Sequence, residues 1–83
     1  MSNRSHFLIR NDLARSMIVN VEPEGAFYSL PHGEEVSVTD VFTADPVTLK
    51  ITHSDKGDLI ISIWPGDGEV KVEKDGVNVF ELI

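Results

Sequence analysis

The sequence predicts an all-β protein, folded as a small antiparallel β-sandwich or flattened barrel of seven to eight strands. Apolar and polar residues alternate along most of the chain, as between Val47 and Ile51, and this period of two is typical of half-buried strands. Turn-forming residues separate these runs at the spacing of an all-β domain. No window carries a long apolar stripe at helical spacing, and at most residues 12–15 form a single turn.

Eight strands follow from this pattern, in chain order. They are His6–Asn11, Ser16–Glu22, Ala26–Leu30, Glu34–Val41, Val47–His53, Asp58–Trp64, Glu69–Lys74 and Val77–Leu82. Eight short strands are too many for one flat sheet in a chain of 83 residues. We therefore expect residues 1–83 to form a single domain of two packed sheets.

Glycine, proline and their neighbours set the turns between these strands. Pro23-Glu24-Gly25 interrupts the first half of the chain, and Pro31-His32-Gly33 predicts a tight hairpin. Residues 54–57 join two further strands, and residues 65–68 end another. Asp75-Gly76 is the strongest signal, because both residues accept the positive φ of a two-residue type I′ turn.

The charge and composition of the chain limit the kinds of molecule that it is expected to bind. Seven basic residues stand against fourteen acidic ones, giving a formal charge of -7 without a charged block. A nucleic acid needs clustered cations on one face, so we expect no nucleic-acid partner, while an acidic inhibitor protein stays open as an alternative. We expect no membrane partner either, because the longest N-terminal apolar run is only Phe7-Leu8-Ile9. The chain has no cysteine and no apolar run long enough for a signal peptide or a membrane span, which favours a cytoplasmic location.

The strand Asp58–Trp64 is apolar on both faces. Its alternate residues form one face of Leu59, Ile61 and Ile63 and another of Ile60, Ser62 and Trp64. A two-layer sandwich normally leaves the outer face of each sheet in water, so something is expected to cover the second set.

The last hairpin points to the same surface. If Lys74 pairs with Val77, the residues directed to the core are Val70, Val72, Val77 and Val79. Phe80 and Leu82 then lie on the opposite face. Together with Ile60 and Trp64 they are expected to form one apolar patch on an outer sheet face.

Three explanations of this patch remain open at this stage. The N-terminal segment, or a bulge that shifts the register, could bury it within the monomer. It could instead contact a protein partner or a second copy of the chain, because apolar patches with aromatic anchors mark such contacts. It could also be a stacking platform for a carbohydrate-type ligand, with Trp64 and Tyr28 as the aromatic residues and Asp67 or Asn78 as hydrogen-bonding partners.

Residues able to do chemistry are few. His32 with Glu34, and His53 with Asp55, have a spacing that places each pair on one strand face, but this spacing is common and fits solvated turns. No nucleophile elbow, phosphate-binding glycine loop or calcium-loop pattern is present in the sequence. We therefore predict no catalytic residue, no metal site, no cofactor and no enzymatic activity.

One stretch resembles a group of known proteins. The resemblance lies in Asn11, Met17-Ile18-Val19, residues 22–25 (Glu-Pro-Glu-Gly) and residues 30–34 (Leu-Pro-His-Gly-Glu), followed by Val36 and Val38. With these features the stretch resembles small uncharacterised bacterial all-β proteins. The resemblance covers residues 11–38 and consists mainly of residues that form turns. It implies a compact β-sandwich from a bacterium or its phage, and it implies no catalytic residues.

These observations predict a non-catalytic protein-interaction or assembly module, alone or as a homodimer. The predicted contact residues are Ile60, Trp64, Phe80 and Leu82. The alternatives are a ligand-binding module that uses Trp64 and Tyr28, and an acidic inhibitor.

Overall fold

The computed structural model describes residues 2–83, which form eight strands and one short 3-10 helix. The strands are β1 (Asn3–Arg10), β2 (Met17–Val21), β3 (Ala26–Leu30), β4 (Glu35–Phe42), β5 (Thr48–His53), β6 (Leu59–Trp64), β7 (Glu69–Lys74) and β8 (Val77–Asn78), and the helix is Val79–Glu81. Seven of the predicted strands therefore agree with the structure apart from their end residues. No helix in this part of the chain has the length and apolarity needed to cross a membrane.

The strands form two four-stranded sheets, and the predicted β-sandwich is confirmed. Sheet I has the order β1-β4-β7-β8, and sheet II has the order β3-β2-β6-β5. All neighbours are antiparallel except β2 and β6, which run parallel, with Val19 opposite Ile61. The chain crosses between the sheets four times, from β1 to β2, from β3 to β4, from β4 to β5 and from β6 to β7.

The core lies between the sheets and contains most of the inward residues that the period of two predicts, although Leu49 and Ile51 of β5 stay exposed. Its fully enclosed members are Val19, Leu30, Val36, Val38, Ile63, Val72 and Val79, with Ile9, Met17 and Val21 beside them. Apart from Val79, which lies in the 3-10 helix, each alternates along its strand with a more exposed residue, as expected when one face of a sheet packs and the other is solvated. Of the four valines expected in the core of the last hairpin, Val77 is the exception, because it adjoins the turn and is 39% exposed.

The predicted hairpin at Pro31-His32-Gly33 is wrong. This turn carries the chain from sheet II to sheet I, and its backbone hydrogen bonds go to Asn11 at the end of β1. Gly33 N–H donates to Asn11 O at 2.7 Å, and Asn11 N–H donates to Glu34 O at 2.9 Å. The turn residues were recognised correctly, but their partners come from a distant part of the sequence.

The predicted strand Val77–Leu82 is also wrong beyond Asn78. The hairpin itself forms as expected, with Asp75 and Gly76 at positive φ (52° and 81°) and Lys74 opposite Val77. The side chain of Asn78 then accepts a hydrogen bond from Phe80 N–H at 2.9 Å and caps the 3-10 helix. A short asparagine side chain offers the backbone an alternative to the sheet ladder, so the strand stops after two residues.

Candidate protein-interaction face

The structure separates the four residues predicted to form one patch. Ile60 and Trp64 lie in β6 of sheet II, whereas Phe80 and Leu82 follow β8 at the edge of sheet I. The prediction of a single outer sheet face with all four residues is therefore wrong. The main reason is that β6 and the last hairpin belong to different sheets, and in addition the cap at Asn78 ends the ladder before Phe80 can take a place on the outer face of sheet I.

Ile60 and Trp64 remain together on the outer face of sheet II. Ile63 is fully buried between the sheets, so the residues that alternate with it point away from the core. The register of the four strands places further side chains on this surface. The outer face of sheet II consists of Ser29, Ile18, Ile60 and Thr52 in one row, Phe27, Asn20, Ser62 and Lys50 in the next, and Trp64 and Thr48 in the third.

The charge of this face differs from that of the rest of the chain. None of the fourteen acidic residues lies in a strand of sheet II, and Lys50 is its one lysine or arginine. The outer face of sheet I, in contrast, mixes both signs, with Arg4, Glu69 and Lys71 among its members. Charged residues are depleted at the centre of protein interfaces, so sheet II has the composition expected of one.

Carboxylates lie at the two ends of this face. Glu22 and Glu24 occupy the turn after β2, and Asp55 and Asp58 occupy the turn before β6. Because β2 and β6 run parallel, these turns lie at opposite ends of sheet II. The face therefore has an acid-free centre, an acidic turn at one end and, at the other end, aspartates offset by Lys56 and by Arg15, which pairs with Asp58.

Aromatic and aliphatic side chains dominate the acid-free centre. Phe27 is 58% exposed and Trp64 is 36% exposed, while Ile18 and Ile60 are half-buried. Lys50 Nζ lies 5.0 Å from the centre of the Trp64 ring, a cation–π geometry that also extends the lysine stem across the face. Large apolar side chains left partly exposed on a small protein are typical of a contact surface.

Nothing in the described chain covers this face. The N-terminal segment, considered as a cover from the sequence, forms β1 in sheet I. Sequence reasoning missed Phe27 and Ile18 as members of the face. The signal for Phe27 was present, because Ala26, Tyr28 and Leu30 point to the core and leave the alternate position outside.

The two aromatic residues considered for ligand binding do not share a surface. Tyr28 lies opposite Val19 and packs against the core, whereas Trp64 lies on the outer side of the same sheet. The polar residues considered with them have structural partners. Asn78 caps the 3-10 helix, and the Asp67 carboxylate accepts hydrogen bonds from the backbone N–H groups of residues 43–45.

The histidines lie apart from the outer face of sheet II and in separate places. His32 is in the turn before β4, where its Nδ1 lies 2.5 Å from the carbonyl oxygen of Leu13. His53 is exposed at the end of β5, and His6 is exposed in β1. Within residues 2–83, no group of three or more histidine or carboxylate side chains is placed to hold a metal ion.

Comparisons of this chain with protein-family models, with curated proteins and with solved structures find no match.

Proposed function

We propose that this protein is a non-catalytic interaction module that binds another protein through the outer face of sheet II. The observation that carries the proposal is the segregation of charge: a chain of formal charge -7 keeps every carboxylate out of the four strands of this sheet. Solubility alone gives no reason to clear one face of acids and leave Phe27 and Trp64 exposed on it.

The surface also defines the chemistry of its partner. Its centre fits an apolar protein surface, into which Phe27 and Trp64 would insert as aromatic anchors. The acidic turn after β2, with Glu22 and Glu24, favours lysine and arginine at the adjoining margin of that partner, because opposite charges at a rim speed association and select against wrong partners. The chain's net charge disfavours nucleic acids and anionic membranes. The cysteine-free composition supports the cytoplasm as the place of binding.

Site-specific photo-crosslinking in the cells that make the protein tests this function. A photoreactive amino acid replaces Ser29, an exposed residue of the outer face of sheet II, and in a second strain it replaces Lys71, an exposed residue of the outer face of sheet I. We expect a discrete protein adduct from position 29 and none from position 71, with the adduct identified by mass spectrometry.

Two matched substitutions make the result specific. Phe27 and Leu8 are exposed apolar residues of edge strands, with 58% and 57% of their surface accessible, on the outer faces of sheets II and I. Phe27→Asp should abolish the adduct, and Leu8→Asp should leave it unchanged. The same adducts from positions 29 and 71, or no adduct from either position, would refute the proposed contact face.

A further inference from the structure

Strand β5 is the edge strand of sheet II and differs from every other strand in its exposure. It pairs with β6 along its whole length, yet all six of its residues are exposed. Leu49 and Ile51 lie opposite Ile63 and Ile61, on the side of sheet II that faces the core. They are nevertheless 39% and 66% exposed. The core-facing side of this strand is therefore left open.

The opposite sheet explains this opening. Asn11, directly after β1, hydrogen-bonds to Leu30 at the end of β3, so the edge strands β1 and β3 share one side of the sandwich. The other two edges, β8 and β5, then share the second side. Because β8 has only two residues, sheet I cannot cover the six residues of β5.

The other three edge strands are shorter than β5, carry more charged residues than its single Lys50, or are better covered on their core-facing side. Strand β8 stops at Asn78, and β1 carries Arg4 and Arg10 near its two ends. Strand β3 keeps its core-facing side covered, with Leu30 fully buried. Natural sheets avoid long, unprotected edges because another strand can pair with them. Among the described strands, β5 combines a free edge with an exposed apolar side.

We propose that β5 pairs with β5 of a second copy of this chain, antiparallel across a two-fold axis, to form one continuous eight-stranded sheet. The chain's charge supports this occupant, because two copies of formal charge -7 can meet closely only where neither presents a carboxylate. Strand β5 has no acidic residue. This inference concerns the edge of sheet II and does not depend on the partner proposed for its outer face.

The two-fold symmetry restricts the register of the pairing. In an antiparallel ladder, the side chains of directly opposite residues lie on the same face of the sheet. The two-fold axis must therefore lie where one residue is opposite its own symmetry mate, and not midway between two consecutive residues of the strand. The residues nearest the middle of β5 are Lys50 and Ile51. An axis at Lys50 would place two ammonium groups directly opposite each other, which destabilises a strand pair.

An axis at Ile51 fits the side chains on both faces. On the core-facing side Ile51 meets its symmetry mate, and Leu49 meets His53 of the second copy, so the exposed apolar side chains of each strand gain neighbours on the same face. On the outer side Lys50 meets Thr52 of the second copy. The Lys50 ammonium lies over Trp64 in β6, away from the free edge, and leaves room for the incoming strand.

Single thiols test this register, because the chain has no cysteine of its own. The Ile51→Cys variant should be joined to itself by a short bifunctional thiol reagent, since opposite side chains in a ladder lie about 5 Å apart at Cβ. The Leu49→Cys variant should not, because its symmetry mate is displaced by four residues, about 13 Å along the strand. An equal mixture of Leu49→Cys and His53→Cys should form the mixed dimer.

The control for random collision is Leu8→Cys, at an exposed position in β1. We expect Ile51→Cys to react at least about tenfold faster than this control, because pairing raises the local concentration of the thiols. Sedimentation velocity should show a dimer for the wild type and a monomer for Ile51→Lys, while Leu8→Lys behaves as the wild type. Since Ile51 is mostly exposed in the monomer, circular dichroism should show that both lysine variants are folded.

Equal reaction of Ile51→Cys and Leu8→Cys, or a wild type that stays monomeric at the highest soluble concentration, would overturn the pairing. Faster self-reaction of Leu49→Cys than of Ile51→Cys would overturn the register. These outcomes are separable from those of the proposed contact face. Phe27→Asp should leave the thiol reaction of Ile51→Cys unchanged, and Ile51→Lys should leave the photo-adduct from position 29 in place.

Discussion

The side-chain amide of Asn11 donates a hydrogen bond of 2.8 Å to the carbonyl oxygen of Leu30, and so connects the end of β1 in sheet I to the end of β3 in sheet II. Asn11 is fully buried and uses its other polar atoms as well. Its Nδ2 also donates to Arg15 O at 2.9 Å, and its Oδ1 accepts from Leu13 N–H at 2.8 Å. One side chain thus fixes the loop between β1 and β2 and joins the two sheets at one side of the sandwich.

Replacement of this amide should be costly even when the shape is kept. In Asn11→Asp, an acceptor oxygen replaces the donor Nδ2 and faces the carbonyl oxygens of Arg15 and Leu30. We therefore expect this substitution to lower the free energy of unfolding by at least about 3 kcal/mol. Asn11→Ala should lower it by about 2–3 kcal/mol through the unpaired backbone groups. Urea unfolding at neutral pH measures both changes.

Asn3→Ala is the control for this experiment. Asn3 also donates from its side chain to a backbone carbonyl, that of Thr43, but it does so at the surface. Its replacement should change stability by no more than about 0.5 kcal/mol. An Asn11→Asp variant as stable as the wild type would contradict the role assigned to the buried amide.

Asp67 should make stability depend on acidic pH. The backbone N–H groups of Thr43, Ala44 and Asp45 donate to its carboxylate and hold its pKa below the ordinary value of 3.8. Because the folded-state pKa is lower than the unfolded-state pKa, this stabilisation is present above about pH 4 and is lost as the pH falls through the folded-state value. The Asp67→Asn variant should therefore lose less stability than the wild type as the pH falls below about 4, in urea unfolding at each pH.

The matched control is Asp55→Asn, an exposed aspartate in the turn between β5 and β6. It should keep the wild-type dependence on pH. The assignment to Asp67 fails when Asp67→Asn and the wild type lose stability in parallel as the solution is acidified.

Gly68 should tolerate no side chain. A Cβ at this position would lie 1.7 Å from the carbonyl oxygen of Val41, within backbone that pairs β4 with β7. Backbone cannot move aside as a flexible side chain does, so Gly68→Ala should cost about 3 kcal/mol or more, or prevent folding. Thermal unfolding by circular dichroism measures the loss.

Gly57→Ala separates this steric effect from the general cost of replacing glycine. A Cβ at Gly57 meets no atom within 4 Å, but the residue has a φ of +84°. The cost there is limited to backbone strain, about 1–2 kcal/mol. Equal losses for the two variants would show that the close approach to Val41 is not what requires glycine at position 68.

Lys50 and Trp64 should stabilise each other measurably. The ammonium lies 5.0 Å from the ring centre on the outer face of sheet II, and such partly exposed pairs contribute about 0.5–1 kcal/mol. A double-mutant cycle with Lys50→Ala and Trp64→Leu should return a coupling free energy of this size. Trp64 is the only tryptophan, so Lys50→Ala should also change the intrinsic fluorescence.

The comparison variant for that cycle is Lys71→Ala, which removes a lysine from the outer face of sheet I. It should show no coupling to Trp64→Leu and no change in the tryptophan emission. A zero coupling for Lys50 would mean that the two side chains do not hold this arrangement in solution.

Short-range features of the sequence predicted most of the individual strands. Alternation of apolar and polar residues located seven of them, because the side-chain period of a strand is a local property. Asp75-Gly76 fixed the last hairpin for the same reason, since a two-residue turn with positive φ sets the register of its own flanking residues.

The candidate site was only half predictable. Ile60 and Trp64 were found because their strand is apolar on both faces, a pattern visible within six residues. Phe80 and Leu82 were misplaced, because strand pairing puts the last hairpin in the other sheet and because the Asn78 cap ends its ladder. Ile18 and Phe27 were missed, because their place beside Ile60 requires the parallel pairing of β2 with β6.

By itself, then, the sequence determined an all-β chain of small alternating strands, its core residues and the turn at Asp75-Gly76. The tertiary structure alone decided which strands share a sheet. This choice of partners places the carboxylates of the strands in sheet I and leaves β5 as an open edge. The physical reason is that strand pairing joins residues far apart in sequence. Pairs such as Val19 with Ile61 are selected by packing of the whole core and not by any local pattern.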